Sequence, residues 1–249
     1  MIFFKFLLVM GLFMPLLPLV VWSFAEGWYF PRLWPPGLTL THWQEALAQG
    51  GPSFAQSTTI ALLVTILSLA VGVPAGRALG MSWFRGRAIA TAIILLPVIS
   101  SPLGTVMGLQ FVLIRLGLSS QPAGIVLAHL LLALPYTILV CRSVFANFAP
   151  QYEAQARCLG ADPWQTWWYV TFPMVLPGIL VSALWAFLVS WHEFLLTFLL
   201  GGGWVKTLPM VLYSLLQGGD VGLTSAVAIL SLSPALLLLY FVSRRISLV

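Results

Sequence analysis

An all-α protein that crosses a membrane several times is the fold class this sequence predicts, and three observations predict it. Hydrophobic residues make up 60% of the chain, charged residues only 7%, and the mean hydropathy is +1.01. Soluble domains carry roughly a quarter charged residues, so this chain lacks the polar surface that water requires. The apolar residues come in runs of about 20 or more, the length at which a helix spans a bilayer. They do not alternate over about ten residues, as barrel strands do. Six runs are read, at 3–24, 54–76, 88–114, 124–145, 174–200 and 223–242. No low-complexity linker or clear internal repeat divides them, so residues 1–249 are expected to form a single membrane domain.

The basic residues sort by membrane side. With both termini in the cytoplasm, Lys5, Arg77, Arg85, Arg87, Arg142, Arg157, Arg244 and Arg245 lie inside, and Arg32, Arg115 and Lys206 outside, a split of 8 to 3. This follows the positive-inside rule. The net charge of +5 is then a topology signal and argues against a nucleic-acid partner. Cys141 and Cys158 fall on the reducing side, where disulfides are disfavoured. Neither has metal-ligand spacing with a histidine, and both are read as small apolar residues.

The first run follows Lys5 and exceeds the length of a signal-peptide core, so it is read as a retained helix kinked at Pro15 and Pro18. Residues 25–52 lie outside. Their Trp28, Tyr29, Trp34 and Trp43 suit an interface, and Pro31, Pro35 and Pro36 forbid a regular helix. A short surface helix is expected at Thr41–Gln49, with Thr41 as N-cap. The second run carries Gly72 and Gly76, and the third Gly104 and Gly108, spacings that let helices approach closely. The third run also holds Pro97, Ser100, Ser101 and Pro102, which predict a kinked or broken helix. Whether that break lines a pathway or only bends the chain is open at this level.

Between the fourth and fifth runs lies a polar insert, about 146–173. Pro150 suits a helix start, and Glu153, Ala154, Gln155, Ala156 and Arg157 are good helix formers. Gly160 suits the position after a helix end, where a left-handed backbone is needed. Asp162, Pro163 and Gln165 spell a new N-cap, first turn and near capping box. Two short helices should therefore meet within about three residues and stand outside the lipid.

In its Ala156-Arg157-x-Leu159-Gly160-Ala161 and Pro173-x-x-x-Pro177-Gly178-Ile179 stretches, this insert resembles the loop of binding-protein-dependent ABC importer permeases. Glu153 stands one residue before the family's glutamate position, which Ala154 holds, and Gln155 replaces a motif alanine. The similarity runs through most of segments two to six. It implies the type I ABC importer permease fold with six transmembrane helices in a bacterial inner membrane. It further implies a coupling helix at 151–161 that a separate ATPase grips, through Glu153, Ala154, Ala156, Arg157, Gly160, Ala161 and Asp162. The partners implied are ATP-binding subunits that carry Mg–ATP, a second permease subunit and an extracytoplasmic solute-binding protein; the chain itself is expected to bind no cofactor or metal.

Glu193, with Trp191 and His192 beside it, is the candidate pathway set. A carboxylate within a membrane helix must face water or a partner, so it either lines the passage or serves structure. Ser190-Trp191-His192-Glu193, Thr207-Leu208-Pro209 and Tyr213-Ser214 resemble spermidine/putrescine-type permeases, which implies a polyamine-like or other small polar solute. Trp191-His192-Glu193-Phe194-Leu195 also resembles sugar permeases.

Enzyme chemistries fit poorly. Gly201-Gly202-Gly203-Trp204-Val205-Lys206-Thr207 has Val205 where a phosphate-binding loop needs glycine before its lysine. His192-Glu193 lacks the second histidine of a zinc protease, because that position is Leu196. The rival classes are a stand-alone ion-coupled transporter resting on Glu193, and a membrane-embedded enzyme using His129, His192 and Glu193.

Overall fold

A computed structural model describes residues 10–11, 13–28 and 32–246. Lys5, Tyr29 and Pro31, and the first part of the run expected at 3–24, lie outside the described residues, as does the Arg245 side chain. The described residues are almost entirely helical, with one two-residue antiparallel pairing, Ala25–Glu26 on Gly37–Leu38. The helices are α1 (Leu16–Phe24), α2 (Thr41–Met81), α3 (Arg87–Ile99), α4 (Pro102–Arg115), α5 (Pro122–Ala146), α6 (Gln151–Cys158), α7 (Pro163–Thr166), α8 (Phe172–Trp191), α9 (Leu195–Leu200), α10 (Leu208–Gly218) and α11 (Val221–Ile246). A π-helical turn, Trp167–Thr171, joins α7 to α8.

Among the described residues, four helical stretches are long and apolar enough to cross a membrane: Thr41–Met81, Pro122–Ala146, Pro163–Trp191 and Val221–Arg244. The α3–α4 pair adds a fifth if it counts as one broken span. This is compatible with the six-run reading, with three corrections. First, the surface helix at Thr41–Gln49 and the run at 54–76 are one continuous helix, α2. Second, the run at 88–114 is two helices that meet at Ser100–Ser101 with a bend of 102°. Third, the run at 174–200 stops at Trp191 and restarts at Leu195, so Glu193 stands in a helix break and not on a helix.

Contacts group the described chain into two compact units. In the unit comprising residues 1–57 and 206–236, α2 runs unbroken through Gly50-Gly51-Pro52. A Cβ at Gly50 would make only ordinary contacts there, at 3.5–3.9 Å from Leu208, Val227 and Leu230. Ser57 Oγ accepts the Leu208 N–H at 2.8 Å, and the Gln56 side chain accepts the Lys206 N–H at 3.2 Å. Thr41 is the first helical residue, not the cap; its N–H donates to Thr39 Oγ1 at 3.1 Å.

The other unit, residues 58–205 with 237–249, carries the insert and two buried cores. One joins Ile60, Val64, Val106, Leu113, Ile125, Ala186, Leu200 and Val205; the other joins Cys141, Phe145, Phe148, Val175 and Ile179. The α2–α5 packing uses a glycine face. Side chains at Gly72 and Gly76 would overlap Thr137 and Cys141, and a Cβ at Gly80 would stand 2.8 Å from the Arg142 carbonyl oxygen. This confirms the close-approach reading of Gly72 and Gly76 and extends it by one turn. A Cβ at Gly104 or Gly108 on α4 would meet no neighbouring atom of the described residues within 4 Å. Both cysteines are free; Cys141 is buried and Cys158 is exposed.

Candidate functional site

The insert folds as its caps dictate. Pro150 immediately precedes α6. At the other end Gly160 adopts φ +89°, its N–H bonds the Arg157 carbonyl at 3.0 Å, and the Ala161 N–H bonds the Ala156 carbonyl at 3.0 Å. That pair of bonds is a Schellman motif, which satisfies the last carbonyls of α6. Asp162 then caps α7: its Oδ1 accepts the Gln165 N–H at 2.7 Å, and Gln165 Oε1 accepts the Asp162 N–H at 3.1 Å. The reciprocal box is the one its sequence spelled. Trp167–Thr171 carries the chain into α8, with Thr171 buried.

The insert has two faces. Ala154, Arg157, Gly160 and Asp162 are exposed, together with Gln151, Tyr152, Leu159 and Trp164. Ala156 and Ala161 are half-buried, and Glu153 is buried at 6% exposure. Glu153 turns inward. Both its oxygens accept from Arg77 Nη2 at 2.9 Å, its Oε1 accepts from Thr171 Oγ1 at 2.7 Å, and Arg157 Nη2 lies 3.5 Å from Oε2. The Arg77 guanidinium also sits 5.2 Å over the Trp167 ring. Charge-assisted bonds of this kind are about twice as strong as neutral ones, and the position of Glu153 in the first turn of α6 adds a favourable helix dipole.

Arg77, Thr171 and Trp167 were not in the sequence-derived site. The Glu153–Arg157 spacing, i to i+4, was a visible signal. Arg77 lies 76 residues away and had already been explained as a topology charge, so nothing local pointed from it to Glu153.

The second constellation is a cavity of about 400 Å³ where two helix breaks meet. Ser100 and Thr105 line it from the α3–α4 elbow, Tyr136 from α5, Val189 from α8, and Glu193 from the break after α8. Ser100 Oγ and Thr105 Oγ1 are 2.7 Å apart. Glu193 Oε1 accepts the Leu196 N–H at 3.0 Å, which holds the carboxylate at the start of α9. Its two sequence neighbours part from it. Trp191 is buried at 1% exposure and stacks on Phe187 with centroids 5.6 Å apart; His192 is exposed and outside the cavity lining. His129, buried on α5, bridges the break: its Nδ1 pairs with Ser190 Oγ at 3.0 Å and its Nε2 with Thr197 Oγ1 at 2.9 Å. His129 is thus a clasp across the break, with both ring nitrogens taken by hydroxyls. No group of three or more His, Cys, Asp or Glu residues suited to a metal occurs among the described residues.

Residues 2–247 match the family described as the binding-protein-dependent transport system inner membrane component. The chain belongs to this family. It is an ABC importer permease subunit, a multi-pass protein of the inner membrane. The chain is 31% identical over 222 residues to the molybdenum transport system permease protein ModB of Mycobacterium tuberculosis, covering 82% of this chain and 80% of that one. It is 28% identical over 202 residues to the diacetylchitobiose uptake system permease protein NgcG of Streptomyces coelicolor, covering 79% and 67%. The fold of this permease matches a chain of a bacterial ABC transporter involved in import of the acidic polysaccharide alginate, with TM-score 0.75, 18% identity and coverage of 97% and 93%. A second alginate transporter structure, in complex with its pentasaccharide-bound periplasmic protein, matches with TM-score 0.63 at 20% identity, covering 98% and 94%. The reading as an importer permease stands. These relatives are named for molybdenum and for a sugar, so the narrower likeness to spermidine/putrescine-type permeases finds no support in them.

Proposed function

We propose that this permease is driven by a separate ATP-binding subunit seated on the exposed face of residues 151–166. One observation carries the reading: the insert is capped at Gly160 and Asp162, anchored inward by Glu153, and outwardly presents Tyr152, Leu159 and Trp164. Leu159 is 89% exposed and Trp164 70%, an apolar surface that suits a protein groove better than water. On this reading Mg–ATP belongs to the partner, both termini are cytoplasmic, a second permease subunit completes the passage, and an extracytoplasmic binding protein delivers the solute. The family description and the solved complex with a periplasmic protein support that last partner.

The passage includes the cavity at Glu193, and the solute is small and polar. The lining carries three hydroxyls and one carboxylate and no Lys or Arg among the described residues. A hydroxyl-rich or cationic solute suits such a wall, and the diacetylchitobiose relative favours the sugar-type reading. A polyamine retains the Glu193 carboxylate as its support.

Affinity purification of the tagged chain from its native membrane tests the coupling reading. An ATP-binding subunit should co-purify with the unsubstituted chain and be lost, or retained at a tenth or less, with Leu159→Glu. Retention of the subunit by the variant would remove the docking face from residues 151–166. Calorimetric titration of the partner binding protein with diacetylchitobiose, molybdate and spermidine then decides among the solute classes.

A further inference from the structure

Glu153 is buried while Tyr152, Ala154 and Gln155 beside it are exposed. A carboxylate removed from water is strongly unfavourable unless it is paired. Here its partners come from separate elements: Arg77 from α2, Thr171 from the turn that leads into α8, and Arg157 from its own helix. Both oxygens are thus engaged inside the permease, and Glu153 is not part of the exposed docking face.

From these partners two packed routes lead to the cavity. Thr171 leads directly into α8, whose 20 residues span about 30 Å; Val189, near its end, lies in the cavity wall, and Glu193 follows just beyond the helix. Arg77 sits on α2 beside the glycine face that lies against α5 at Thr137, Cys141 and Arg142. That same α5 places Leu132 and Tyr136 in the wall. Helices packed this closely shift as bodies and do not deform continuously.

We propose that Glu153 is a positioning residue, an internal strut that carries displacement of α6 into α2 and α8 and so into the cavity. This rests on the ATPase reading above.

The test uses the full chain in complex with the ATPase that co-purifies with it, in a Cys158→Ser background, with Ser100→Cys as a reporter in the cavity. The rate of Ser100→Cys modification by a methanethiosulfonate reagent is measured without nucleotide and with Mg–ATP plus vanadate. With Glu153 intact the two rates should differ by about tenfold, a typical allosteric coupling. Glu153→Gln and Arg77→Ala should still hold the ATPase, yet their two rates should agree to within about twofold. A structural role alone would alter yield or assembly, not the nucleotide response of an assembled complex. Should Arg77→Ala fail to give a monodisperse complex, the isosteric Glu153→Gln decides. The strut is overturned if Glu153→Gln keeps the full response, if it sheds the ATPase, or if the unsubstituted chain shows no response. Absence of any ATPase on the unsubstituted chain is a separate result, which removes the docking reading and the strut with it.

Discussion

At Gly160 the backbone holds φ +89°, and no neighbouring atom of the described residues lies within 4 Å of where a Cβ would stand. Space is therefore plentiful and conformation alone selects glycine. A left-handed backbone costs a β-branched residue on the order of 1–2 kcal/mol, and asparagine less. Gly160→Val should unwind the Schellman turn and cut the ATPase recovered with the purified permease severalfold, whereas Gly160→Asn should retain most of it. Equal recovery with both variants would show that this turn does not set the docking geometry. Gly160 and Asp162 were legible in the sequence because caps are local: one residue type and one spacing define each. Glu153 was legible as a helix residue but not as a buried one. Its burial depends on Arg77 and Thr171, and no short-range pattern joins residues 76 and 18 positions away. Glu193 was legible as an unusual carboxylate, while its place in a helix break came from tertiary packing.

Between helices the same sequence pattern has two outcomes. Gly72, Gly76 and Gly80 on α2 receive α5, but Gly104 and Gly108 on α4 receive nothing from the described residues. The spacing of four residues is identical, so the pattern marks an available face without naming its occupant. Gly76→Leu should force α2 from α5, because even a Cβ there overlaps Cys141, and should lower the melting temperature of the detergent-solubilised protein by several degrees. Gly104→Ala should leave it unchanged or raise it slightly, since alanine favours a helix interior by about 0.5–1 kcal/mol over glycine. Similar losses from both would contradict the packing described. Element boundaries followed the same rule. The proline–serine cluster at Pro97–Pro102 announced the α3–α4 break, because proline removes a donor wherever it stands. The continuity of α2 through Gly50-Gly51-Pro52 was not legible, because the contacts of this stretch, such as Ser57 with the Leu208 N–H, join residues far apart in sequence.

For the whole molecule, hydropathy alone made the class legible, since no arrangement of this composition yields a water-compatible surface. The sidedness can be read from one native atom. Cys158 is the exposed thiol and Cys141 is buried, so a membrane-impermeant maleimide reports on Cys158. Labelling is expected in inside-out vesicles and absent in right-side-out ones, at least tenfold apart, if the insert lies in the cytoplasm with the majority of the basic residues. The reverse result would invert the topology and remove the ATPase from reach. The number of crossings was less legible than their existence, because a run of apolar residues does not reveal where the chain turns back. The elbow between α3 and α4 carries the farthest consequence. At 13 and 14 residues, each arm is about 20 Å long, short of the roughly 30 Å of hydrocarbon that a straight span must cover. The corner between them is exposed. The Ser100 N–H and the Ser101 carbonyl are bonded within the chain, to Leu96 and Thr105, but acyl chains offer no hydrogen bonds to whatever polar groups such a corner leaves over. Lipid tails are therefore poor neighbours for Ser100 and Ser101, and water or other polar groups suit that corner and the cavity it lines better.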